Sequence, residues 1–185
     1  TYMSGKWHVG GDGSGFKGDA KHPRPIDRGF DHYWGAKGYF YPSHIEIDDR
    51  TEPPPTDDFY LTDAITDAAI AMIEQSQETD DPFFLHLAHF APHWPLHALP
   101  EDIAKYEGRY RAGWDHLRTA RHEEQKGLGL LESSWEITPR DSHAPPWEEV
   151  REQDWEAARM AVYAAQVDRM DQGIGKVIDK LQELK

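Results

Sequence analysis

Cysteine is absent from the 185 residues. Its absence excludes disulfides, thiolate metal sites and a cysteine nucleophile within this stretch, while leaving the redox compartment open. Long hydrophobic runs are missing too, none approaching the roughly 20 apolar residues of a membrane-spanning helix, and no signal-peptide pattern precedes the first motif. Basic charge is scarce: 20 Lys and Arg stand against 34 Asp and Glu, a formal net charge of -14. Such a surface repels polyanions, so neither nucleic acid nor an anionic membrane is an expected partner. No G-x-S-x-G elbow, Walker-type loop or dinucleotide fingerprint occurs.

What is present is an aromatic-rich chain, with seven Trp, eight Tyr and seven Phe in a 38% hydrophobic composition. That supplies enough buriable surface for one globular domain, or part of one. Residues 9 to 57, rich in Gly, Pro, Asp and aromatic pairs, read as an ordered connection without lasting periodicity. The prolines of TEPPPTDD forbid a helix through residues 53 to 55, and the acids that follow suit the start of one near Asp57. Leu61, Ile65, Ala68, Ala69, Met72 and Ile73 then share one helical face, predicting a helix to about Gln77. PFFLHLAHFAP has the length and continuous apolarity of a strand buried on both faces of a parallel sheet. Residues 101 to 126 look helical in pieces interrupted at Gly108 and Gly113, and residues 132 to 150 form a turn-rich crossing. A long helix from about Glu152 to Leu184 carries Val167, Met170, Ile174, Val177, Ile178 and Leu181 on one stripe. One confident strand, with a second short one around Tyr2 to Trp7, cannot satisfy its own backbone groups. The expectation is therefore an α/β class chain cut from a larger domain, with the other strands elsewhere.

Two places could carry chemistry. In SGKWHVGG an extended backbone would turn Lys6 and His8 to one side and Trp7 to the other. An ammonium and an imidazole aimed at one point suit a tetrahedral oxyanion, the plain alternative being a surface lysine beside a structural histidine. In APHWPLHALP, His93 follows the strand at its carboxyl end, where open α/β sheets place ligand-binding groups, and Pro92 and Pro95 stiffen its loop. His86, His89 and His97 lie close by and invite a metal reading. Against it, a spacing of three on a strand points His86 and His89 to opposite faces, and no carboxylate shares the stretch. HPRPIDRGFDHYWG reads as a packed loop, and Asp168 and Asp171 of VDRMDQG as solvated neighbours on a helical turn rather than a calcium loop.

Taken in order, these segments resemble the sulfatase family. SGKWHVGG matches its G-K-W-H-x-G motif and RGFDHYWG its G-F-D-x-x-x-G loop. DDFYLTDAITDAAIAMIEQ matches the helix before its core strand, PFFLHLAHFAPHWPLHALPEDIAKYEGRYRAGWDHLRTAR the arylsulfatase segment that follows, and YAAQVDRMDQGIGKVIDKL a later helix. The resemblance implies a partial sulfatase catalytic domain over residues 1–185, a fragment of an alkaline-phosphatase-like fold with a central, mostly parallel sheet flanked by helices. It implies hydrolysis of a sulfate monoester, aryl or carbohydrate, in which Lys6 binds the sulfate and His8 takes a proton so that sulfate leaves. His93 would bond a sulfate oxygen or the ester oxygen. The family's cofactors would be a divalent cation, Ca2+, and a formylglycine made from a Cys or Ser; the C-x-P-S-R type motif, the acidic pair, the Asp-Asn metal ligands and a second sulfate lysine are not among these residues. The fragment by itself is accordingly expected to be inactive, and analogy places the parent in the periplasm or outside the cell. The alternatives are a phosphonate or phosphate ester hydrolase of the same superfamily and a noncatalytic descendant that binds sulfated glycans.

Overall fold

The computed structural model describes residues 1–9, 23–37, 42–54 and 59–185. The expected helix start at Asp57, the glycines 10 and 11 and the aromatics 39–41 lie outside the described residues.

Five strands form one sheet in the order β4-β3-β2-β1-β5. They are β1 (Tyr2–Gly5), β2 (His32–Lys37), β3 (His44–Ile47), β4 (Arg50–Glu52) and β5 (Leu85–Ala88). β1 runs parallel to both β2 and β5, whereas β2 with β3 and β3 with β4 are antiparallel. The α/β class holds, and the sheet is mixed rather than mostly parallel. Three of its strands lie inside the stretch expected to be an irregular connection, so part of the sheet thought to be elsewhere is here. They are short, and the turn between β3 and β4 depends on Asp48, in the left-handed region at φ 53. The Asp48 carboxylate accepts the Tyr33 N–H at 2.7 Å, and its own N–H donates to the Tyr33 carbonyl at 2.8 Å.

The chain divides into two compact units, residues 1–97 with 166–185, and residues 98–165. In the first, α1 (Leu61–Ser76) lies on the sheet with the predicted stripe inward: Leu61, Ile65, Ala69, Met72 and Ile73 are buried, and Ala68 is half-buried. Leu61 and Ile65 meet Ala36, Trp34, Leu87 and Phe90, and Ala69 and Ile73 meet Leu85, Leu87 and Val177. Each large aliphatic so buried contributes about 1.5–3 kcal/mol. Buried Ser4 fastens β1 beneath α1, its hydroxyl donating to the Ile65 carbonyl at 2.7 Å.

β5 departs from the reading of a strand buried on both sides. It is the edge strand of this sheet, with Phe83 and Phe84 exposed. Leu85 and Leu87 pack toward the helices, while Phe84 and His86 stack on Phe30. The alternation is that of a half-buried strand, with Leu85 and Leu87 turned to the helices and His86 exposed on the other face.

The long helix, α4 (Gln153–Glu183), has the predicted extent, and its packed face shares Val177 with the predicted stripe but is otherwise rotated away from it. Ala165, Gln166, Gly173 and Val177 are buried, whereas Val167, Ile174, Ile178 and Leu181 are exposed. Small residues win the contact because they let the helix axes approach: a Cβ on Gly173 would land well inside contact distance of the Thr66 hydroxyl on α1. Arg169 closes the same junction with a two-pronged ion pair to Asp63, at 2.7 and 2.6 Å.

In the second unit, α2 (Pro100–Ala104) and α3 (Gly113–Gly127) are the expected helical pieces, and Gly108 and Gly113 interrupt as predicted, at φ 75 and 79. Asp115 organises the crossing that follows. It accepts the Trp147 N–H and an Arg140 guanidinium N–H, each at 2.9 Å, and these partners hold its carboxyl below the usual range. Trp114 meets Trp147 edge-on at 4.8 Å.

Candidate active site at the carboxyl edge of β1 and β5

The register Gly5↔Ala88 brings the carboxyl ends of β1 and β5 level. Lys6 continues that pairing, its backbone N–H donating to the Ala88 carbonyl at 2.7 Å. The approach is close enough to require glycine at position 5. A side chain there would collide with the Ala88 carbonyl, and its φ of 114 belongs to the region that only glycine enters readily. From the other side, the Tyr33 hydroxyl donates to the Gly5 carbonyl at 3.3 Å. Burial, with a smaller push from the Glu46 carboxylate, raises Tyr33 far above the ordinary phenol value, so that hydroxyl stays a donor.

Five residues past Ala88, the β5 loop presents His93. Its N–H donates to the Phe90 carbonyl at 2.9 Å, and its Nδ1 bonds to the Trp94 carbonyl. A carbonyl only accepts, so the proton of that bond sits on Nδ1 and the ring is oriented by the main chain. The Lys6 ammonium stands 5.7 Å from the centre of the Phe90 ring. Phe90 therefore belongs to both halves of the site, under the Lys6 cation and at the root of the His93 turn.

Lys6 and His93 are thus brought to one edge of two adjacent parallel strands. Trp7 departs from Lys6 as expected, its indole N–H donating to the Pro23 carbonyl at 2.8 Å and its ring meeting Phe30 edge-on. His8, two residues beyond Lys6, is exposed, and no described contact ties its ring to Lys6 or His93. Sequence reasoning missed Gly5, Tyr33 and Phe90, which shape the site through close approach, a hydroxyl bond to the Gly5 carbonyl and a ring beneath Lys6. The glycine directly before Lys6 was the available signal.

The other histidines disperse. His86 stacks on Phe30, and His97 meets Tyr60 edge-on at 5.3 Å. Both ring nitrogens of His89 are buried without a hydrogen-bond partner, and burial lowers its pKa against a weaker opposing pull from Asp63. Among the described residues no three His, Asp or Glu side chains are grouped to hold a metal ion. The Asp168 carboxylate accepts from the Gln172 side-chain amide one turn further along α4.

Comparison with known proteins decides the family. The sulfatase family model matches residues 1–185, the whole chain. The chain belongs to the sulfatase family. Among relatives, an uncharacterized sulfatase of Schizosaccharomyces pombe is 32% identical over 198 residues, covering 100% of this chain and 36% of that protein. The arylsulfatase of Klebsiella aerogenes is 29% identical over 201 residues, covering 99% of this chain and 41% of its own. This sulfatase segment thus spans roughly two-fifths or less of each relative's length. Crystal structures share the fold: Ps i-CgsB in complex with k-i-k-neocarrahexaose has a TM-score of 0.59 at 24% identity, covering 99% of this chain and 34% of its own. A protein in complex with its substrate D-glucosamine-2-N,6-O-disulfate has a TM-score of 0.53 at 20% identity, covering 99% and 44%. The mixed sheet flanked by helices is accordingly that of the alkaline-phosphatase-like sulfatases.

Proposed function

We propose that the protein carrying this chain is an arylsulfatase-like sulfuric ester hydrolase acting on an aryl or carbohydrate sulfate monoester, and that Lys6, His8 and His93 are contacts of its sulfate site. The observation that carries this reading is the β1–β5 register, which sets Lys6 and the His93 turn around one phenylalanine in a sulfatase chain. The Lys6 ammonium offsets the charge of the sulfate. His93, when it carries a proton on Nε2 as well as the one its Nδ1 gives to the main chain, donates Nε2–H to a sulfate oxygen or the ester oxygen and stabilises negative charge as it develops there. His8 is the proton acceptor. The neighbours crystallised with carbohydrate ligands favour a sugar sulfate among the substrates.

Family chemistry adds a formylglycine nucleophile and a calcium ion, which supply the covalent step and charge neutralisation when present. The residues here do not fit either group, having no C-x-P-S-R type motif in its Cys or Ser form and no metal-holding cluster among those described, so no step is derived through them. The test is steady-state turnover of matched aryl sulfate and aryl phosphate esters by the full-length protein. The sulfate is expected to be preferred, and Lys6→Ala and His93→Ala are each expected to lower kcat by about 10²–10⁴. A strong phosphate preference would make the protein a phosphoesterase of the superfamily; binding of sulfated glycans without turnover would make it a noncatalytic descendant.

A further inference from the structure

We infer that Trp94 is a specificity-determining residue for the leaving group, an indole platform for a six-membered ring, aryl or pyranose, attached to the ester oxygen. The inference rests on the reading of His93 as the contact to that ester.

Trp94 is 73% exposed, the most solvent-exposed large hydrophobic residue of the described chain. Single exposed hydrophobic residues are ordinary on a protein surface, and exposure alone assigns nothing. Trp94 differs in how it is held. Its carbonyl takes the His93 Nδ1–H, and its ring lies 5.6 Å from the imidazole with the two planes 31° apart. Pro95 follows it and fixes the backbone on the far side, while the His93 N–H is tied back to Phe90. Indole and imidazole are therefore presented as one rigid pair, and the indole presents most of its surface to solvent.

A platform needs a flat apolar face at the right offset from the group that fixes its ligand. Stacked and tilted rings prefer centroid separations of about 4.5–7 Å. A ring joined to an oxygen at His93 lies one bond from that oxygen, which puts it within this range of an indole 5.6 Å from the imidazole. A linear alkyl group has no face to offer. Lys6 grips the charge common to every sulfate ester and cannot tell one alcohol from another, so discrimination falls to a neighbour of His93 with no charge.

The experiment is steady-state kinetics of the full-length protein on an aryl sulfate, a sulfated pyranose and a linear alkyl sulfate. Trp94→Ala is expected to raise KM about tenfold for at least one of the two ring-bearing esters, with kcat unchanged within about twofold and no change for the alkyl sulfate. Trp94→Phe should recover most of the loss, and the ring ester that suffers more names the ring. A rise of equal size on all three esters would reduce Trp94 to a support for His93, and no rise on any would remove it from the site; either overturns the proposal. His93→Ala, assayed in parallel, separates the premise from the inference: it should lower kcat on all three esters, and an undiminished kcat overturns the role of His93 whatever Trp94 does. Failure of the unaltered protein to turn over any of the three overturns both.

Discussion

His89 is a histidine whose neutral form the fold selects. Both ring nitrogens are buried without hydrogen-bond partners, just past the end of β5, and burial outweighs the pull of Asp63. Its folded pKa lies below the 6.5 of the unfolded chain, so the unfolded state binds the proton first as pH falls. The stability it contributes is complete above about pH 6.5 and is lost progressively below it, as pH falls toward the folded value. His97 titrates in the same direction, also through burial. We therefore expect the thermal midpoint of the protein to drop between about pH 7.5 and 5.5, and His89→Leu to flatten that drop. An unchanged acid limb in the variant would show that other groups set it.

At the scale of elements, the contact between α1 and α4 turns on Gly173, and Gly175, two residues along the same helix, has the opposite character. Gly173 faces Thr66, and a methyl there would meet the threonine hydroxyl, whereas the space around Gly175 is open. Gly173→Ala is expected to destabilise by about 1–3 kcal/mol, as overpacking does. Gly175→Ala should stabilise by up to about 1 kcal/mol, since it relieves the helix-propensity penalty alone. Chemical denaturation of the pair measures both signs. The same junction explains what the sequence could and could not tell. The period of Leu61, Ile65, Ala69 and Ile73 announced α1 because an aliphatic stripe is a strong signal. The α4 stripe was right at Val177 and wrong around it, because alanines and a glycine, chosen for closeness, outrank the larger Ile174 and Ile178 that point to solvent. β2, β3 and β4 were illegible for another reason. They span three to six residues, and β3 buries Glu46, so no run of alternation is long enough to rise above the surrounding glycines and aspartates. Lys6 and His93 were legible through motif resemblance, whereas Gly5, Tyr33 and Phe90 depend on a strand pairing no local pattern encodes.

On the scale of the whole molecule, the proposed sulfate contacts of this sulfatase chain are joined by no C-x-P-S-R type nucleophile motif and, among the described residues, by no metal-holding cluster. The isolated 185 residues are therefore expected not to turn over an aryl sulfate above the level of a Lys6→Ala, His8→Ala control; a clear excess would place the whole chemistry within this segment. Among the described residues no helix is long and apolar enough to cross a membrane. The collision that forbids a side chain at Gly5 has a consequence beyond local fit. Sliding β1 by one residue against β5 would set a residue with a Cβ opposite the Ala88 carbonyl and turn Lys6 to the reverse face of the sheet. A side chain forced into that positive-φ position would meet the same carbonyl, so Gly5 is expected to favour the one register that sets Lys6 on its present side of the sheet.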